Sequence, residues 1–223
     1  MSMRPKLVSL LLILVSVLPG PLSAQSRGAG KSGPRALLPR DREVALARSA
    51  GPPSVTASAR VYVLTAAGYV VADSGSSGSS CYVSRSWPES LEPHCFDKEG
   101  AATILPMEMR RVELLSAGRS MEEVEREIAD GIVSGRFRLP GKPATSYMMS
   151  CAQRLISDDG RAVGKWRSHL MIYFPYLTNE SIGMATGPDL RAAVVVNPGT
   201  PEANIMIPVQ DFITPEAPAV CSP

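Results

Sequence analysis

Histidine is nearly missing from this chain of 223 residues. Only His94 and His169 occur, so acid–base or imidazole-metal chemistry has two places to sit. Cysteine is limited to Cys81, Cys95, Cys151 and Cys221. None shows C-x-x-C spacing, which excludes the common zinc-ligand pairs and a thioredoxin-like redox pair. The main apolar run, Leu7–Leu18, spans twelve residues, short of the roughly 20 a membrane-spanning helix needs. Charge of one sign is not in excess either. Removal of residues 1–24 would take two of the 23 basic residues and none of the 21 acidic ones, leaving zero net charge. That gives no electrostatic footprint for nucleic acid or an anionic membrane.

Two catalytic frames are also missing. Gly30-Lys31-Ser32 resembles the end of a phosphate-binding loop, but Gln25 stands where the first glycine belongs and Pro34 follows where a helix should begin. The stretch "DSGSSGSSC" (73–81) has the alphabet of a nucleophile loop. A trypsin-like serine needs G-D-S-G-G, yet here Ala72 and Ser76 replace two of the glycines. The elbow G-x-S-x-G fails at Ser79. Serine and glycine suit a turn with unusual backbone angles, so the stretch reads as a hairpin tip. Asp158 and Asp159, before Gly160, likewise read as turn residues.

What is present begins with export. Arg4 and Lys6, the apolar run, Pro19-Gly20-Pro21 and a small-residue exit at Ala24 have the layout of a secretory signal peptide. The expected division is a signal peptide over 1–24, a flexible arm over 25–41, one domain over 42–212 and a Pro-rich tail over 213–223. The expected location is secreted or periplasmic, with no membrane span left after cleavage. An even number of cysteines in an oxidising compartment implies disulfides. Of the three possible pairings, Cys81–Cys95 with Cys151–Cys221 is favoured, each bond contributing about 3 kcal/mol in the chain-entropy account.

The apolar pattern predicts a short helix over 41–50 with Asp41 as its cap. Strands follow at 59–65, 68–73 and 80–87, read as a meander. Residues 97–117 turn helical, with Pro106 expected to kink or split the helix. Ser120-Met121-Glu122-Glu123 is a capping box, and Met121, Val124, Ile128 and Ile132 form one apolar stripe. Glu122, Glu123, Glu125 and Glu127 suit the start of that helix as a solvated face. Two hairpins are predicted around Asp158-Asp159-Gly160 and Asn197-Pro198-Gly199. The expected fold is α+β, an antiparallel sheet of about six to seven strands with two main helices packed on one face.

His169 is the residue of interest. In "WRSHLMIYF" it alternates with Arg167, Met171 and Tyr173, while "SYMMSC" carries Tyr147 and Met149 on one face. Were those faces to meet, Tyr147, Met149, Arg167, His169, Met171 and Tyr173 would line a small polar pocket. His169 would there be either a general base or a hydrogen-bonded strand histidine. His94, beside Cys95, reads as a loop residue. Asn179-Glu180-Ser181 is a glycosylation sequon, meaningful only in a eukaryotic secretory pathway.

The segments "EVALARSAGP", "VYVLTAAGYVVADSG" with the following "CYVSRSW", and "SYMMS" with "KWRSHLMIYFP" together resemble a group of exported bacterial proteins of unknown function. The resemblance runs from about residue 43 to 176. It implies export and a single fold unit and supplies no reaction. Members of the group cluster aromatic and histidine residues near the equivalent of Trp166 to His169, where this chain keeps only His169. The expected function is therefore a non-enzymatic domain that binds a small molecule or an envelope protein, with no cofactor and no metal. The alternatives are a hydrolase using His169 or a serine of the 74–80 loop, and a structural envelope component.

Overall fold

The computed structural model describes residues 33–154, 168–183 and 192–209. Four helices, α1 (Arg40–Arg48), α2 (Pro53–Thr56), α3 (Lys98–Ser116) and α4 (Met121–Val133), accompany eight strands. These are β1 (Arg60–Thr65), β2 (Gly68–Asp73), β3 (Ser80–Ser84), β4 (Glu92–Phe96), β5 (Ala144–Met148), β6 (His169–Tyr173), β7 (Val194–Val196) and β8 (Asn204–Pro208). They form one sheet in the order β2-β1-β3-β4-β5-β6-β8-β7. Among the described residues every strand pairing is antiparallel except β1 with β3. The α+β class stands, and the sheet is larger than six or seven strands.

The additional strand is β4, within a segment that reads as an irregular loop. Its residues, Glu-Pro-His-Cys-Phe, are all buried, so no alternation marks it, and Pro93 argues against an interior strand. Local hydrogen bonds solve the burial of Glu92. Its carboxylate accepts from the Ser86 nitrogen at 3.0 Å, the Ser86 hydroxyl at 2.9 Å and the Ser90 hydroxyl at 2.6 Å.

The serine-glycine stretch is not a hairpin tip. β2 and β3 lie on opposite sides of β1, so residues 74–79 cross beneath the start of β1. The Ser76 and Ser77 nitrogens both donate to the Ser58 carbonyl, at 2.8 and 3.0 Å. Gly75 has φ +59°, and a methyl group there would overlap the backbone of Ala59 and Arg60; only glycine fits both demands. The physical reason for the crossing is burial. β3 is buried at every residue and belongs in the sheet interior, whereas β2 exposes Val70 and Val71 and suits an edge.

Helices cover both faces. α3 and α4 close one side over Tyr82, Phe96, Met148, Met171 and Tyr173, to which they add Ile104, Leu105, Met107 and Ile128. α1 closes the other, where Leu46 and Ala47 meet Val61, Val83 and both cysteines of the Cys81–Cys95 disulfide. The predicted pair of main helices thus shares one face, and α1 takes the opposite one. Asp97 caps α3 through the Gly100 nitrogen at 2.7 Å, and its second oxygen accepts from the Thr145 nitrogen at 3.0 Å. One side chain fixes both the helix start and β5. Pro106 lies inside an unbroken α3. Burial of Ile104, Leu105 and Met107 around it offsets a lost backbone bond of about 3 kcal/mol. The capping box at Ser120 is present.

At α1, Pro39 rather than Asp41 occupies the cap, and Asp41 lies in the first turn. The expected flexible arm is held from Gly33 onward. Arg35 is buried and donates to the carbonyls of Arg85 at 3.1 Å and Ser86 at 2.9 Å. Burial lowers its pKa to about 10, with Tyr69 and Glu92 opposing. Beneath it, Arg85 and Glu43 form a fully buried ion pair, Nη2 to Oε2 at 3.0 Å. Glu43 also accepts from the Leu64 nitrogen at 3.0 Å, joining α1 to β1. On the far side Arg111 binds Glu202 at 2.5 Å, Glu125 at 2.9 Å and Glu108 at 3.0 Å. Burial acts to lower the pKa of Arg111, but Glu108, Glu202 and Glu125 outweigh it and hold the pKa well above its usual value.

Candidate functional site

Strand register places both histidines on one face. Tyr82 of β3 faces His94 of β4, and Met148 of β5 faces His169 of β6. Cys95 pairs with Tyr147, which puts His94 and Met148 on adjoining strands, each one residue beyond the paired stretch. Tyr82, His94, Met148 and His169 therefore form a row across four adjacent strands, all directed toward α3. The next row in the same direction carries Phe96, Ser146, Met171 and Met206.

The row is enclosed. His94 is 6 % exposed and His169 is 1 % exposed. The His94 ring lies 5.6 Å from Tyr82 and 5.8 Å from Phe96, centroid to centroid. Among the described residues neither nitrogen of His94 has a hydrogen-bond partner. Burial lowers its pKa to about 3, with the neighbouring His169 acting in the same direction. The imidazole is neutral at physiological pH. The Tyr82 phenol is pushed well above its usual value, chiefly by burial and then by Glu108. These groups do not exchange protons near neutrality. They offer a lone pair and aromatic surface in an apolar box.

The expected pocket is assembled only in part. His169, Met171 and Tyr173 share one face, and the Tyr173 hydroxyl approaches the Met171 sulfur at 3.6 Å. Tyr147 does not join them. It pairs with Leu170 and packs on the α1 side beside the disulfide cluster. The Met149 nitrogen donates to the Ala50 carbonyl at 2.8 Å, which stitches the end of β5 to the segment after α1. The hairpin register is thus one residue away from the facing that would bring Tyr147 to His169, and a one-residue slip reverses every side chain. Arg167, the 158–160 turn, Cys221 and residues 213–223 lie outside the described residues. Cys151 is disulfide-bonded.

The serine loop carries out structural work. The Ser77 hydroxyl donates to the Ser58 carbonyl at 3.1 Å, and Arg60 donates to the Ser74 carbonyl at 3.2 Å. Asp73 accepts from the Gly75 nitrogen at 3.1 Å and pairs with Arg48 at 2.6 Å. Tyr82, His94 and Met148 are the members of the site that sequence reasoning missed. The signal that could have found them is "PHCF" read as a strand opposite "CYVS", which sets His94 beside Tyr82.

Comparison with protein-family models, with curated proteins and with solved structures returns no match. Among the described residues no three His, Cys, Asp or Glu side chains gather as a metal-binding group. No helix there is long and apolar enough to cross a membrane.

Proposed function

We propose that this chain is an exported, non-enzymatic domain that takes a small ligand or partner group at the imidazole row beneath α3. One observation carries the reading: His94 is buried, neutral and without a hydrogen-bond partner among the described residues. A buried polar side chain in that condition calls for an explanation, and a bound group supplies one. General-base catalysis by His94 is a poor fit, since a base with a pKa of about 3 accepts few protons near neutrality. The hydrolase reading draws no support from the 74–80 loop, whose groups hold the start of β1. Export is supported by the layout of residues 1–24 and is compatible with the Cys81–Cys95 disulfide. The resemblance to exported bacterial proteins points the same way.

Native mass spectrometry of protein purified from its own compartment tests this, with His94→Phe prepared alongside. The expected result is an added mass on the natural chain that the variant lacks. A chain without added mass, showing ester or amide hydrolysis that His169→Ala or Ser74→Ala abolishes, would refute the binding reading.

A further inference from the structure

We infer that the group bound at this row is a soft monovalent metal ion, Cu(I), held by the His94 imidazole and the Met148 thioether with His169 alongside. The inference rests on the binding reading above and names its ligand class.

The geometry comes from the sheet. Neighbouring strands stand about 4.8 Å apart, so His94 on β4 and His169 on β6 rise from backbones about 10 Å apart. Met148 stands between them. The His94 imidazole and the Met148 thioether, on adjoining strands about 4.8 Å apart, can both reach one ion, given metal–imidazole bonds of about 2 Å. His94 is buried, and neither of its nitrogens has a hydrogen-bond partner among the described residues, so a lone pair is open to a ligand.

The donor set selects the metal. Zinc and the hard divalent ions want thiolates, carboxylates or three imidazoles, and no such cluster occurs among the described residues. Thioether sulfur prefers Cu(I), and imidazole also suits copper. Charge leads to the same choice. Tyr82, Phe96 and Met171 beside the row carry no charge, and Glu108, whose carboxylate acts on Tyr82, supplies one negative charge. The cost of burying charge rises as its square, so a monovalent ion is far cheaper to enclose than a divalent one.

The test is an anaerobic titration of the metal-free full chain with Cu(I) in competition with bicinchoninate, repeated with Ag(I) and Zn(II). The expected result is one Cu(I) per chain, matched by Ag(I), with Zn(II) at least about a hundredfold weaker. Met148→Leu conserves volume and should fold normally. It is expected to weaken Cu(I) binding at least about tenfold, and His94→Phe at least as much. Met109→Leu, on α3 and outside the row, should leave binding unchanged. Cu(I) affinity indifferent to both Met148→Leu and His94→Phe would overturn the inference, as would tighter binding of Zn(II). If an organic adduct is found on the natural chain and Cu(I) does not bind, this inference falls while the binding reading stands. If neither is found, both fall.

Discussion

Acidification from pH 7 to pH 4 should weaken the metal-free fold through His94 in a way one substitution can isolate. In the unfolded chain the imidazole titrates near its ordinary 6.5, while in the folded chain burial holds it at about 3. At pH 7 both states are neutral at this position and nothing is lost. Below 6.5 the unfolded chain takes up a proton that the folded chain refuses. Stability then falls with pH until the folded imidazole itself titrates near 3. At pH 4 the unfolded value lies about 2.5 units above the medium, and at 1.36 kcal/mol per unit this amounts to about 3 kcal/mol. Other groups also titrate in that range, so His94→Phe serves as the reference; phenylalanine suits a site between the Tyr82 and Phe96 rings. Tyr82 from β3 faces His94, and His169 on β6 is the titratable group that acts on it. The measurement is urea unfolding of both proteins at pH 7, 5.5 and 4, with metal removed. The natural chain should lose about 3 kcal/mol more than the variant between the extremes, with most of the divergence below pH 6. A difference that stays within about 1 kcal/mol across that range would refute the reasoning, because it would mean that His94 is protonated or solvated in the folded state.

Two further substitutions probe the frame that holds the site. Glu43→Ala leaves Arg85 buried without its carboxylate and deprives the Leu64 nitrogen of its acceptor; the expected loss is about 3–5 kcal/mol in urea unfolding. The pair Glu43→Leu with Arg85→Met should recover most of that, and a single-variant loss below about 1 kcal/mol would contradict the buried pairing. Gly75→Ala must hold φ +59° and also displace the backbone of Ala59 and Arg60. It should cost more than about 2 kcal/mol in thermal unfolding, beyond the 1–2 kcal/mol of the left-handed conformation alone. A neutral outcome would mean that the loop does not cross beneath β1.

What the sequence made legible was local. β1, β2, the Ser120 capping box and the β7–β8 turn each announce themselves within a few residues, through alternation, a fixed S-x-x-E spacing or Asn-Pro-Gly. The Cys81–Cys95 bond was also within reach, as the pairing that closes the shortest loop. The strand order was not. Serine and glycine serve a hairpin and a crossing equally well, and what separates them is the burial of β3 on both faces. β4 was hidden because Glu92, Pro93 and His94 are all poor advertisements for an interior strand. Its Glu92 carboxylate is met by Ser86 and Ser90, which no periodicity reveals. The site suffered from both failures. The alternation that grouped His169 with Met171 and Tyr173 was sound, but alternation carries no information about which residue of the neighbouring strand stands opposite. Met148 took the place expected of Tyr147.

The position of the Cys81–Cys95 bond has a bearing on how such a chain is made. If the chain is exported as proposed above, N-terminus first, both thiols are delivered before any residue of α3, α4 or β5 has emerged. β3 and β4 can then be joined covalently, with α1 and β1 packed on them, while the remainder is still in transit. The histidine row would be completed in a set order: His94 is fixed first, on a closed platform, and Met148 and His169 arrive last to cover it. Anything destined for that site would meet a half-built cradle before it met a sealed one.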